Sequence, residues 1–149
     1  MKRALATAEI ISAACNVDIV TCPELREVNY GSIEGLTFQE IKDLYPGVAE
    51  LITNFSLQLS FPGGESFTEF IERTSKFVDR LEKHAPEQTV LIVSHSGPLR
   101  VLVCHLLGIE MEHWRQIRLD NASLSIIETY PQRAIISLLN DTSHLRETG

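Results

Sequence analysis

Two kinds of apolar run alternate along this chain, one continuous and one spaced at three and four residues. Thr89-Val90-Leu91-Ile92-Val93 is continuous and stops at Ser94-His95-Ser96-Gly97. Pro98 then opens a second apolar stretch, to Leu107, with helical spacing. The pattern predicts a buried strand over 89–94, a tight turn, and a helix whose first turn begins at Pro98. His95 then lies at the carboxyl end of a strand and just ahead of a helix amino terminus. Ligands of open α/β sheets bind at that edge. The unpaired N–H groups and positive dipole end of the helix favour an anion there.

The remaining elements follow from the same reading. Arg3 to Ala14 is rich in alanine and other good helix formers and predicts a helix without a capping residue in front. Asp18 to Cys22 predicts a short strand closed by Pro23, and Glu24 to Gly35 a polar loop. Thr37 with Glu40, and Ser66 with Glu69, each fit a capping box. The first opens a short helix ending before Pro46. The second opens a helix with Phe67, Phe70, Ile71, Phe77, Val78 and Leu81 on one face. Gly47 to Ser60 predicts a turn or two of helix and a loop. Pro62-Gly63-Gly64-Glu65 reads as a turn, with Glu65 a turn residue and Ser66 an N-cap. Glu110 to Arg118 is less regular, with Trp114 buried. Leu124 to Thr129 and Ala134 to Leu139 predict a hairpin. Strands alternate with helices, so the expected class is α/β, with a mostly parallel sheet and an antiparallel terminal part.

Composition narrows the possibilities. The net charge of −7 argues against a nucleic-acid binder and gives no general attraction for anionic substrates. A phosphate site would have to be a local group of Arg, His and backbone N–H. The three cysteines, Cys15, Cys22 and Cys104, are scattered, and no His/Cys cluster has metal-ligand spacing. Neither a disulfide framework nor a metal site is expected. No run is long enough to span a membrane, so a cytoplasmic protein is expected.

Four motifs stand in one order. They are Lys-Arg-Ala-Leu-Ala-Thr-Ala-Glu at 2–9, Leu-Arg-Glu-Val-Asn-Tyr-Gly-Ser-Ile-Glu-Gly at 25–35, Pro-Gly-Gly-Glu-Ser at 62–66, and Val-Ser-His-Ser-Gly-Pro-Leu-Arg at 93–100. Alone, Arg3 reads as a solvated arginine and Glu27 as a loop carboxylate. Together, over essentially the whole chain, the motifs resemble the histidine phosphatase superfamily, which includes cofactor-dependent phosphoglycerate mutase and α-ribazole phosphatase. The resemblance implies a three-layer α/β/α phosphoglycerate-mutase-like fold. It implies that Arg3 clamps a phosphoryl group, that Glu27 donates a proton to the leaving oxygen, and that His95, followed by Ser96, bonds the phosphoryl oxygens. The chemistry agrees: a guanidinium fork matches phosphate oxygens, a carboxylic acid can protonate an alkoxide, and an imidazole can donate to an anion. Asn121 and Ser123 resemble a family loop near the site. His84, His105, His113 and His144 match no catalytic position.

The departure from the pattern matters equally. The family nucleophile is the histidine of an Arg-His-Gly motif, and this sequence contains none. The family's first strand, first helix and second strand are therefore expected to be missing. The chain then corresponds to an N-terminally truncated single domain over 1–149, roughly the C-terminal two-thirds of the family's. The short Gly35 to Phe61 segment favours a small-molecule phosphatase, with phosphoglycerate mutase-type transfer as the alternative. A non-catalytic phosphate-binding or interaction domain is the alternative from another class. The expected ligand is a small phosphomonoester or inorganic phosphate, with no cofactor, nucleic acid or membrane. Without the first strand, one side of 90–93 has no partner, and self-association through that sheet edge is expected.

Overall fold

The computed structural model describes residues 2–81 and 83–145. In chain order it contains α1 (Lys2–Cys15), α2 (Phe38–Leu44), α3 (Pro46–Thr53), α4 (Phe67–Ser75), α5 (Val78–Leu81), α6 (Ser96–Leu107), β1 (Leu124–Tyr130) and β2 (Arg133–Asp141). Short 3-10 turns occupy Pro23–Leu25, Gly31–Ile33, Met111–Gln116 and Ser143–Leu145.

Local chemistry explains most of these boundaries. Thr37 accepts from the Glu40 N–H while the Glu40 carboxylate accepts from the Thr37 N–H and hydroxyl, closing the capping box that starts α2. Ser66 and Glu69 repeat the arrangement at α4. Pro46 ends α2 and begins α3, since its ring suits a first helical turn. Gly108, at φ 64°, caps α6 in the left-handed region that favours glycine.

Most of the buried side chains gather under α4 and α6. Phe70 and Val101 are completely buried, and Phe67 stacks at 4.7 Å, centroid to centroid, on the buried Trp114. Val28, Ile33, Ile41, Leu59 and Phe61 complete this core from the loops and α2. The apolar face expected from Phe67 to Leu81 is divided between two cores, because α4 ends at Ser75 and α5 begins at Val78. Phe77 and Val78 pack with Leu102 in a second cluster.

Three expectations are corrected. Residues 89–94 form no strand, and 18–22 likewise. A strand exists through its ladder, and no described neighbour supplies one. Val90 and Leu91, expected to be buried, are 38% and 56% exposed. The mostly parallel sheet is therefore not formed among the described residues, whose only sheet is the antiparallel β1–β2 pair. Finally, α6 starts at Ser96, two residues before Pro98, which makes His95 its N-cap. Pro98 is tolerated because first-turn N–H groups have no intrahelical partner. The hairpin, the helix over 3–14 and the buried Trp114 agree with the sequence reading. Among the described residues no helix is long and apolar enough to cross a membrane.

Candidate active site

The carboxyl end of the 89–94 segment is fixed before α6 begins. The Ser94 hydroxyl donates to the Leu25 carbonyl at 2.7 Å, tying this end to the loop that carries Glu27. His95 follows, 7% exposed, with its backbone extended and its carbonyl accepting from Leu99 N–H at 3.1 Å. Arg3, on the first turn of α1, donates from Nη2 to His95 Nδ1 at 2.9 Å. An arginine can only donate, so Nδ1 accepts and the ring proton resides on Nε2. Burial lowers the His95 pKa, and the adjacent Arg3 lowers it further, against an opposing pull from Glu27. His95 is thus held neutral, with an Nε2–H available to an anion.

Glu27 meets the same helix start. Its Oε1 accepts from Val28 N–H at 3.0 Å. A Cβ built on Gly97 would collide with Oε1, and would stand 3.3 Å from the Glu27 carboxyl carbon and 3.2 Å from the Phe70 ring. Only glycine lets the carboxyl approach the first turn of α6 this closely. Ser96 is the first helical residue beside it. The structure therefore brings Arg3, Glu27, His95 and Ser96 to one place: two cationic or neutral donors, a helix amino terminus and one carboxyl. Gly97→Ala is expected to push the Glu27 carboxyl off the helix start. Carboxyl carbon chemical shifts of Glu27 would move relative to the parent. Unchanged shifts would refute the contact.

What holds Glu27 in position was not read from the sequence. Arg73, on α4, donates through Nη1 to the carbonyls of Glu24 and Arg26, both at 2.8 Å, and through Nη2 to that of Glu27 at 3.1 Å. Its other donors bind Glu65 at 2.6 and 2.8 Å. Glu65 also accepts from Asn29 N–H at 2.7 Å. One guanidinium thus carries three loop carbonyls and a carboxylate that is itself 7% exposed. Glu65, expected to be a turn residue, is a buried ionic partner. Burial acts to raise its pKa, but the bonds from Arg73 and Asn29 outweigh this and leave it lowered. Arg73 follows Phe70 by one helical turn. A charged position beside an apolar helix stripe is the signal that points to such a pair.

Tyr30 is the second group the sequence reading passed over. Its ring packs edge-on against Phe61 at 5.1 Å. Burial raises its pKa and the charge of Glu27 adds to the rise, while Arg115 and Arg100 oppose it. The hydroxyl therefore lies within electrostatic reach of both Glu27 and two cations. His84, His105, His113 and His144 are exposed, as is Asn121.

The chain has counterparts among known proteins. The sequence profile of the histidine phosphatase superfamily (branch 1) matches residues 1–142, and the chain belongs to that family. It is 32% identical to phosphoserine phosphatase 1 of Hydrogenobacter thermophilus over 147 residues, covering 99% of this chain and 70% of that protein. The fold superposes on the crystal structure of the α-ribazole phosphatase from Shigella flexneri with a TM-score of 0.83 at 28% identity, over 95% of this chain and 70% of that one. It is also similar in fold, at 24% identity and a TM-score of 0.79, to a mycobacterial glucosyl-3-phosphoglycerate phosphatase solved with inorganic phosphate, over 97% and 75% of the two chains. The relatives are named as phosphatases, and the fold is mixed α/β of the phosphoglycerate-mutase-like kind.

Proposed function

We propose that these residues form the charge-stabilising and proton-donating part of a phosphomonoesterase site that acts on a small molecule. The observation that carries this reading is the meeting of the neutral His95, clamped by Arg3, with the Glu27 carboxyl across the unobstructed start of α6. Arg3 and the His95 Nε2–H would hold phosphoryl oxygens, with Ser96 and the first-turn amides beside them. Glu27 would give its proton to the departing alkoxide. The attacking group in the family is the histidine of Arg-His-Gly, which these residues do not include. The chain by itself is therefore proposed to bind phosphate without turning a phosphoester over. We treat 1–149 as a single domain, and the names of the relatives, phosphoserine and α-ribazole phosphatase, do not agree on a leaving group.

Phosphate titration followed by NMR tests this reading. Phosphate or vanadate is expected to move the ring signals of His95 more than those of His84 or His144. The sign of the pH effect is fixed by the same contacts. An anion beside the ring favours its charged form, so phosphate should raise the His95 pKa from its lowered position. Equal shifts at all histidines, or a His95 pKa indifferent to phosphate, would remove the pocket.

The exposed Val90 and Leu91, on a segment that joins no sheet among the described residues, support self-association through that segment. Light scattering after size exclusion should show species larger than 16.7 kDa that dissociate on Leu91→Lys. A monomeric parent chain would refute this.

A further inference from the structure

Four consecutive carbonyls of the Glu27 loop, 24 to 27, each accept a hydrogen bond from a side chain. Arg73 of α4 takes those of Glu24, Arg26 and Glu27. The carbonyl of Leu25 is taken by the Ser94 hydroxyl at 2.7 Å. Ser94 stands one residue before His95, and Leu25 two residues before Glu27. The loop is thus anchored twice, to α4 by Arg73 and to the approach of α6 by Ser94.

The two anchors have different consequences. Arg73 holds the loop to α4 and by itself does not set where the loop stands relative to His95. Phe70 of α4 does lie beside Gly97 of α6, but apolar packing is non-directional. A hydroxyl-to-carbonyl bond fixes direction as well as distance. No sheet ladder among the described residues holds 89–94 in place, so this bond carries the registration of the segment against the acid loop. Leu25, Ile92 and Leu99 pack against the second apolar cluster on either side of it. The half-buried Ser94 hydroxyl therefore bonds in surroundings drier than bulk solvent, where such a bond is stronger. The groups it brings together sense one another. Burial and Arg3 lower the His95 pKa, and the charge of Glu27 opposes them to a degree that depends on their separation.

We propose that Ser94 is a positioning residue, whose bond to the Leu25 carbonyl sets the separation of the His95 imidazole and the Glu27 carboxyl. The functional weight of the inference rests on the reading of His95 as the donor to phosphoryl oxygens and Glu27 as the acid. In that reading the two groups serve one phosphorus. The imidazole holds its charged oxygens while the carboxyl protonates the oxygen that leaves it. Their spacing must then match a single phosphoester, and a misplacement of about 1 Å costs on the order of 100-fold in rate. Alanine at this position would leave the Leu25 carbonyl without its donor. Threonine carries the same hydroxyl and would keep the bond.

The test reads the coupling of Glu27 to His95 in the intact chain by a double-mutant cycle. NMR gives the His95 pKa before and after Glu27→Gln, first in the parent chain and then alongside Ser94→Ala. In the parent, Glu27→Gln should lower the His95 pKa, because the charge that raised it is gone. Alongside Ser94→Ala the drop should be several-fold smaller. Alongside Ser94→Thr it should return to the parental size. Thr53→Ala removes a comparable bond, from the Thr53 hydroxyl to the Ala49 carbonyl at 2.8 Å within α3, and should leave the coupling unchanged. An undiminished drop alongside Ser94→Ala overturns the proposal. An equal loss with Ser94→Thr or Thr53→Ala also overturns it, because packing or general loosening is then the cause. A His95 pKa indifferent to Glu27→Gln in the parent chain overturns it as well. Inorganic phosphate separates these failures from failure of the phosphate site. If phosphate leaves His95 unmoved while the coupling follows the Ser94 hydroxyl, the phosphate reading falls and the positioning stands.

Discussion

A preparation of these 149 residues is expected to show no phosphohistidine-dependent turnover of p-nitrophenyl phosphate. The reason is the chemistry of the step, not the affinity of the site. Phosphoryl transfer in this family needs a nucleophilic imidazole facing phosphorus, and His95 is unsuited to that role. Its Nδ1 is occupied by Arg3 at 2.9 Å, and its remaining nitrogen bears the proton. It can donate to a charged oxygen but has no lone pair free to attack. The other described histidines are exposed and match no position beside it. In a well-studied hydrolase, loss of the nucleophile lowered kcat by about 10⁶-fold. A loss of that order puts activity below a steady-state assay. Robust turnover by the purified chain, abolished by His95→Ala, would show that the roles assigned to His95 and Arg3 are wrong.

Arg73→Ala should be the most damaging single substitution outside the site. It would strand the buried Glu65 carboxylate and release the carbonyls of Glu24, Arg26 and Glu27 together. Removing one partner of a buried ion pair costs about 3–5 kcal/mol, because the other charge stays behind. That is a large share of a typical net stability of about 5–15 kcal/mol. Thermal or urea unfolding would measure it. Arg73→Met with Glu65→Leu should recover much of the loss, because an apolar pair leaves no uncompensated charge. A double variant no more stable than Arg73→Ala would mean that the three carbonyl bonds, and not the stranded charge, set the cost. The pH dependence gives a further check. The Glu65 pKa is lowered in the folded chain, so its contribution is fully present above the unfolded carboxylate pKa. It is lost as pH falls through the lowered value. The parent chain should therefore lose more stability in acid than the double variant.

Much of the helical structure was legible in the sequence because its signals are local. Both capping boxes, the break at Pro46, the glycine after Leu107 and the hairpin turn act within a few residues. A reader of the sequence and the folding chain respond to the same chemistry there. The grouping of Arg3, Glu27, His95 and Ser96 could be expected only from the ordered motifs. No spacing along the chain says that positions 3 and 95 touch.

Tertiary structure decided the rest. The run from Val90 to Val93 has strand character, but a strand needs a neighbour, and the described residues provide none. Composition predicts a buried ladder; partnership determines whether one exists. Glu65 looked like a turn residue because its partner, Arg73, lies a helix away and its role is to hold a loop carrying residues 24–27. Arg100 on α6 and Arg115 on the 3-10 turn that follows meet at the Trp114 ring only in the folded chain. Helix starts and turns are written in adjacent residues. The pairing of charges, and the neutrality of His95, arise from distances that only the folded chain sets.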